Sequence, residues 1–181
     1  SELEKVLEEI RRELEKLERA NKKVLDDAKR IHDKAKEDLR RVLEEIKRRL
    51  EELEKRLEEA IGDDKRLEEL RKKLRKVLEE LEKRARDVER ELDEHNDRLR
   101  DSVRRMKRRL EEALKRIARV IETSRVEELR KELEDLRRES EEHLERLRDS
   151  ARRVLEKVRR ILKELRDRLR ELAEEVKRAT D

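Results

Sequence analysis

The apolar residues of this chain recur every 18 positions. Val6, Val24, Val42 and Ala60 are in phase, as are Leu7, Leu25, Leu43 and Ile61, then Ile10, Ala28 and Ile46, and Leu17, Ala35 and Leu53. The same interval links Leu67, Ala85, Val103 and Ile121, and Leu81, Leu99 and Ile117. It returns in Leu129, Leu147 and Leu165, and in Leu136, Val154 and Leu172. At about 3.6 residues per turn, such an interval fills about five turns, so it is the repeat of a straight helix. A seven-residue repeat would instead wind the helices into a left-handed supercoil. The pattern therefore implies near-straight helices, each with an apolar stripe that must be buried against another helix.

Helix ends are written at three places. Ser1 with Glu4 forms a capping box, in which the hydroxyl accepts from the N3 amide and the carboxylate reaches back. Gly62, the one glycine, follows Ile61 where a helix would close in a left-handed residue. Asp63 and Asp64 then offer acceptors for the next helix start. Thr123-Ser124 makes the second break, and Ser124 with Glu127 forms another capping box. These signals predict helices over 2–61, 64–122 and 125–179. Connections this short force neighbouring helices to run antiparallel. The expected fold is all-α: one long antiparallel three-helix bundle spanning 1–181, with coiled-coil-like packing.

Composition narrows the class further. Charged residues make up 61% of the chain and apolar residues 32%, a balance that without periodicity would favour disorder. With helical spacing, it favours long helices with solvated outer faces. Basic and acidic residues number 57 and 53, and they alternate so finely that the net charge is only +4. Glu51→Lys55, Glu52→Arg56, Glu68→Lys72, Glu79→Lys83 and Glu111→Lys115 are placed for ion pairs one turn apart. The absence of Cys rules out disulfides and thiolate metal sites. Apolar runs are too short for a membrane span or a signal-peptide core. An opening at Ser1 rather than Met fits a trimmed recombinant product, soluble after cytoplasmic expression.

One phase held through three helices, with no proline and no aromatic residue, resembles the idealised helical bundles built by computation. The resemblance covers the whole chain. It implies a de novo designed, parametric single-chain bundle. Natural three-helix modules of the spectrin type are shorter and carry core aromatics.

Several polar residues interrupt the apolar phases. Asn21 stands where Leu3, Leu39 and Leu57 stand, and His32 takes the place of Leu14 and Leu50. His95 is in phase with Val77 and Ala113, and Asn96 with Leu78 and Leu114. Ser140 matches Val158 and Val176, while His143 matches Ile161 and Ala179. Ser102 and Ser150 each precede a core position, Val103 and Ala151. Antiparallel pairing puts His32 level with His95, Asn96 and Ser150, and Asn21 level with Ser140, near Ser102 and His143. Small neighbours (Ala28, Ala35 and Ala151) leave room for the imidazoles. A buried polar group lacking a partner costs about 1–3 kcal/mol. Polar layers thus reject shifted registers that purely apolar layers would accept, as a buried Asn does in a coiled coil. This arrangement resembles bundles designed around buried hydrogen-bond networks.

Other chemistries fit less well. Zinc needs three or four converging ligands, and only His32 and His95 share a level, with no core-facing carboxylate in view. Ser140 and His143 are spaced for a nucleophile and base, but a continuous helix has no free amides for an oxyanion. The basic run Arg104-Arg105-Met106-Lys107-Arg108-Arg109 has no aromatic to stack on bases and is followed by Glu111 and Glu112. The expectation is a structural scaffold: not an enzyme, with no cofactor, metal, nucleic acid or membrane partner, and monomeric. Two other readings follow from the same residues: a histidine-driven pH response, and a building block of a larger helical assembly.

Overall fold

The computed structural model describes the backbone of residues 2–61, 64–121 and 126–181, and the side chains of 4–60, 64–119 and 126–181. Three helices, α1 (Glu2–Ile61), α2 (Lys65–Ile121) and α3 (Val126–Thr180), pack against each other, with no strand among the described residues. Helix ends fall within a residue of the expected ones, inside the ordinary spread of end assignments. Asp64 caps α2, its Oδ1 accepting from the Arg66 amide at 3.0 Å. The capping boxes that begin at Ser1 and Ser124, the Gly62–Asp63 turn and the Thr123-Ser124 break lie outside the described residues.

Each helix buries one narrow stripe. In α1 the stripe steps through Val6, Ile10, Leu14, Leu17 and Asn21, then repeats 18 residues on as Val24, Ala28, His32, Ala35 and Leu39. The steps of three and four residues average to the pitch of an undistorted helix, so the stripe stays on one side. Charged side chains fill the remaining surface, which is why fewer than a third apolar residues suffice.

The chain divides into two compact units, one of residues 1–31 and 94–153, the other of 32–93 and 154–181. In the first, Val6, Ile10, Leu110, Ile117, Leu129 and Leu136 anchor one apolar cluster. Val24, Ala28, Leu99, Val103, Leu144 and Leu147 form a second cluster. Arg109 pairs with Glu139 and Arg116 with Glu132, so partner numbers fall along α3 as they rise along α2, and this pair is antiparallel. In the second unit one continuous cluster runs from Ala35 to Leu57 on α1, Leu67 to Leu92 on α2 and Val158 to Val176 on α3. There Arg40 meets Glu89, Lys47 meets Glu82 and Arg75 meets Glu54, again antiparallel. Lys73–Glu175 and Lys157–Glu91 set α2 against α3 in the same sense. Each fully buried Leu or Ile contributes about 1.5–3 kcal/mol before conformational entropy is subtracted.

The five within-helix pairs expected at Glu51, Glu52, Glu68, Glu79 and Glu111 do not form as ion pairs. Arg56 reaches Asp181 at 2.9 Å instead, and among the described residues the pairs four apart that do form are Glu8–Arg12 and Glu37–Arg41. An exposed one-turn pair is worth only about 0.2–0.5 kcal/mol, little more than the entropy lost in holding two long side chains in one geometry.

Candidate functional site: buried polar residues on the apolar stripes

The eight polar residues fall into two structural kinds. Asn21, His32, His95 and Ser140 lie on the stripes themselves, in step with the core leucines and valines. Asn96, Ser102, His143 and Ser150 lie one residue to the side and are half-buried. A stripe residue faces the axis of its bundle and must be apolar or find a partner. A residue one step away stands at a seam between helices, where it can reach a neighbour.

In the first unit, Asn21 is 3% exposed and Ser140 fully buried. Along α1, Asn21 falls between Leu17 of one apolar cluster and Val24 of the other. Along α3, Ser140 falls between Leu136 and Leu144 in the same way. Polar residues thus part the apolar core of this unit in two. The Asn21 Nδ2 donates to the main-chain carbonyl of Val103 at 3.1 Å, tying α1 to α2. The Asn21 Oδ1 and Ser140 Oγ are buried without a hydrogen-bond partner, as is the Asn96 Oδ1. Asn21 and Ser140, placed at one level by the sequence, do not bond each other.

His95, 8% exposed, has its Nε2 2.8 Å from the Ser150 hydroxyl. This bond joins two residues expected at one level and pins α2 to α3. Ser140 and His143, three apart on α3, do not interact, since the Ser140 Oγ and His143 Nε2 are both buried without a partner. Burial holds the His143 pKa below its ordinary 6.5, helped by the Arg146 and Arg105 guanidinium groups and opposed by Glu139.

In the second unit, His32 Nε2 lies 3.2 Å from Asp93 Oδ1, and Lys36 shares the same carboxylate oxygen. The sequence shows no core-facing carboxylate beside these residues, and this one reaches His32 from outside the stripe. Asp93 is half-exposed and sits one residue beyond Leu92 of the stripe. Its signal lay in the antiparallel register of α1 and α2 within this unit, which sets Asp93 opposite His32. Glu54, also unremarked in the sequence, is partly buried, and burial alone would raise its pKa. Hydrogen bonds and charge from Arg75 and Arg71 outweigh that and hold it below 4.5.

The arrangement can hold helices in register through His95–Ser150, Asn21–Val103 and His32–Asp93. Among the described residues, no three His, Cys, Asp or Glu side chains converge to hold a metal ion. Nor is any described helix long and apolar enough to cross a membrane. Searches with family models, curated proteins and solved structures return no match to this chain.

Proposed function

We propose that this chain is a de novo designed structural scaffold, monomeric and without biochemical activity of its own, whose buried Asn, His and Ser residues fix the register of its helices. The observation that carries this reading is the position of the polar residues on the stripes. Asn21 and Ser140 occupy core phases and part an otherwise continuous apolar core. An 18-residue repeat alone leaves the apolar faces nearly as well matched after a slide by one repeat. The slide would strip His95 of its Ser150 hydroxyl and the Asn21 Nδ2 of the Val103 carbonyl, at about 1–3 kcal/mol each.

The test replaces Asn21, His95, Ser140 and Ser150 together by Leu, Val, Val and Ala. The expected product is as helical and more resistant to guanidinium, but gives broadened or duplicate amide resonances as registers mix. A single sharp set of resonances, with unchanged interhelical nuclear Overhauser contacts, would refute a register role. Light scattering decides the state of association: a mass near 22.3 kDa supports the scaffold, and a multiple of it favours the assembly subunit.

The lowered His143 pKa supports a second reading, a fold that weakens in acid. Because the folded value lies below the unfolded one, His143 lets the fold keep its full stability above about pH 6.5. Stability is lost as pH falls from there through the folded value. Guanidinium midpoints at pH 7.5 and 4.5, with and without His143→Leu, separate the two readings. A midpoint drop that His143→Leu abolishes favours the switch, and one that it leaves intact assigns acid sensitivity to other groups.

A further inference from the structure

The basic run on α2 that the scaffold reading leaves unused borders an open groove of about 450 Å³ between α2 and α3 of the first unit. Its floor is apolar, made by Met106 and Leu147, both nearly buried. Its walls carry Arg105 and Arg109 from α2, Arg146 and Glu139 from α3, with Ser102 and His143 between them. Three guanidinium groups therefore face one carboxylate. Glu139 is taken up by Arg109, whose Nε lies 3.2 Å from both carboxylate oxygens. Arg146 donates only to the main-chain carbonyl of Glu142, at 3.4 Å, and Arg105 has no carboxylate partner among the described residues. Here two guanidinium groups without a carboxylate partner stand together at the rim of an apolar floor, and a cleft lined mostly by one sign of charge concentrates the field they set up.

We propose that this groove binds a small tetrahedral dianion of the sulfate or phosphate type, with Arg105 and Arg146 as the charged clamp and the Ser102 hydroxyl as a further donor. Guanidinium groups suit this chemistry because their planar forks match two oxygens of such an anion at once. His143 would report the event. It sits in the groove wall, and the charges acting on it are Arg105 from α2 and Arg146 and Glu139 from its own helix, while Arg109 faces the same groove already paired with Glu139. Among the described residues, α1 lends no charged group to the groove. Today the arginines disfavour its protonation. An anion seated between them would reverse that influence, and by linkage protonation of His143 would tighten the anion in equal measure.

The test follows the imidazole C–H resonances of the whole chain through a pH titration, with sulfate against chloride at matched ionic strength. Sulfate is chosen because it stays a dianion throughout the range, and His143→Leu identifies the His143 signal. The expected result is a rise in the His143 midpoint of about half a pH unit, equivalent to about threefold tighter sulfate binding to the protonated form. His32 and His95 should move far less. The double variant Arg105→Gln, Arg146→Gln replaces two exposed side chains and should fold as the parent does, yet lose the shift. Equal movement of all three histidines would mean general charge screening, and persistence of the shift in the double variant would place the anion elsewhere. Either outcome overturns the proposal. A parallel titration with inorganic phosphate at fixed pH, read on the amides of residues 102–109 and 139–147, should give the same pattern of perturbed residues.

Discussion

Ser140→Ala should stabilise this protein, although it removes a polar group from the proposed register layer. The hydroxyl is fully buried and its oxygen has no hydrogen-bond partner. In the unfolded chain it is solvated, so folding forfeits that hydration without replacement. Mutational series put the penalty for such a group at about 1–3 kcal/mol. Alanine also forms helix more readily than serine, by about 0.5 kcal/mol at an interior position. Against these stands the lost volume of one oxygen, a cavity far smaller than a deleted methylene series leaves. The sum favours the variant by about 1–2 kcal/mol. The assay is guanidinium unfolding followed by circular dichroism, comparing midpoints at unchanged slope, because a changed slope would signal altered compactness. The converse change, Val176→Ser on the same phase of the other unit, should cost at least as much as Ser140→Ala gains, since Val176 is fully buried among apolar side chains. If Ser140→Ala lowered the midpoint by an amount worth 1 kcal/mol or more, the hydroxyl would have to be bonded in the fold, and the reasoning from its isolation would fail.

Three further outcomes follow from other parts of the structure. Ser150→Ala removes the hydroxyl that meets His95 Nε2 at 2.8 Å and should destabilise by about 1 kcal/mol, checked by guanidinium midpoint. Leu57→Ala, at a fully buried position, should cost about 2–5 kcal/mol, whereas Leu114→Ala, at a position 45% exposed, should stay within about 0.5 kcal/mol. Glu54 has a folded pKa below 4.5, so its contribution is present above that value and lost as pH falls through the folded pKa. The midpoint gap between the parent and Glu54→Gln should accordingly be open at neutral pH and close in strong acid.

The fold was legible because one number, the repeat length, determines which side of each helix is buried. Nothing competes with that signal. No proline interrupts a helix, and the one glycine falls between α1 and α2. The same phase placed Asn21, His95 and Ser140 in the core, since a position in step with buried leucine is buried whatever residue it holds. What those residues bond was harder to foresee. Asn21 turns to the carbonyl of Val103, and a main-chain acceptor leaves no mark in the sequence. Asp93 lies among so many acidic residues that only the pairing of α1 with α2 singles it out. The groove at Arg105 was hidden for a related reason. With 57 basic and 53 acidic residues finely mixed, a local excess of charge depends on which pairs close, and that is settled by side-chain geometry.

One offset accounts for both side-chain partners that the polar stripe residues find. His95 on its stripe is met by Ser150, one residue to the side of the stripe on α3. His32 on its stripe is met by Asp93, again one residue to the side, on α2. Asn21 is met by main chain, and Ser140 by nothing. A side chain facing the axis of a three-helix unit meets two other stripes, which are apolar nearly throughout. A side-chain partner therefore comes from a seam position, where a short side chain can lean across, and otherwise only main chain is in reach, as for Asn21. Ser140 and Ser150 carry the same hydroxyl on the same helix, ten residues apart, and differ in this one step. Removal of the first should strengthen the fold and removal of the second should weaken it. If both changes had the same sign, placement relative to the stripe would not be what sets the worth of a buried hydroxyl in this protein.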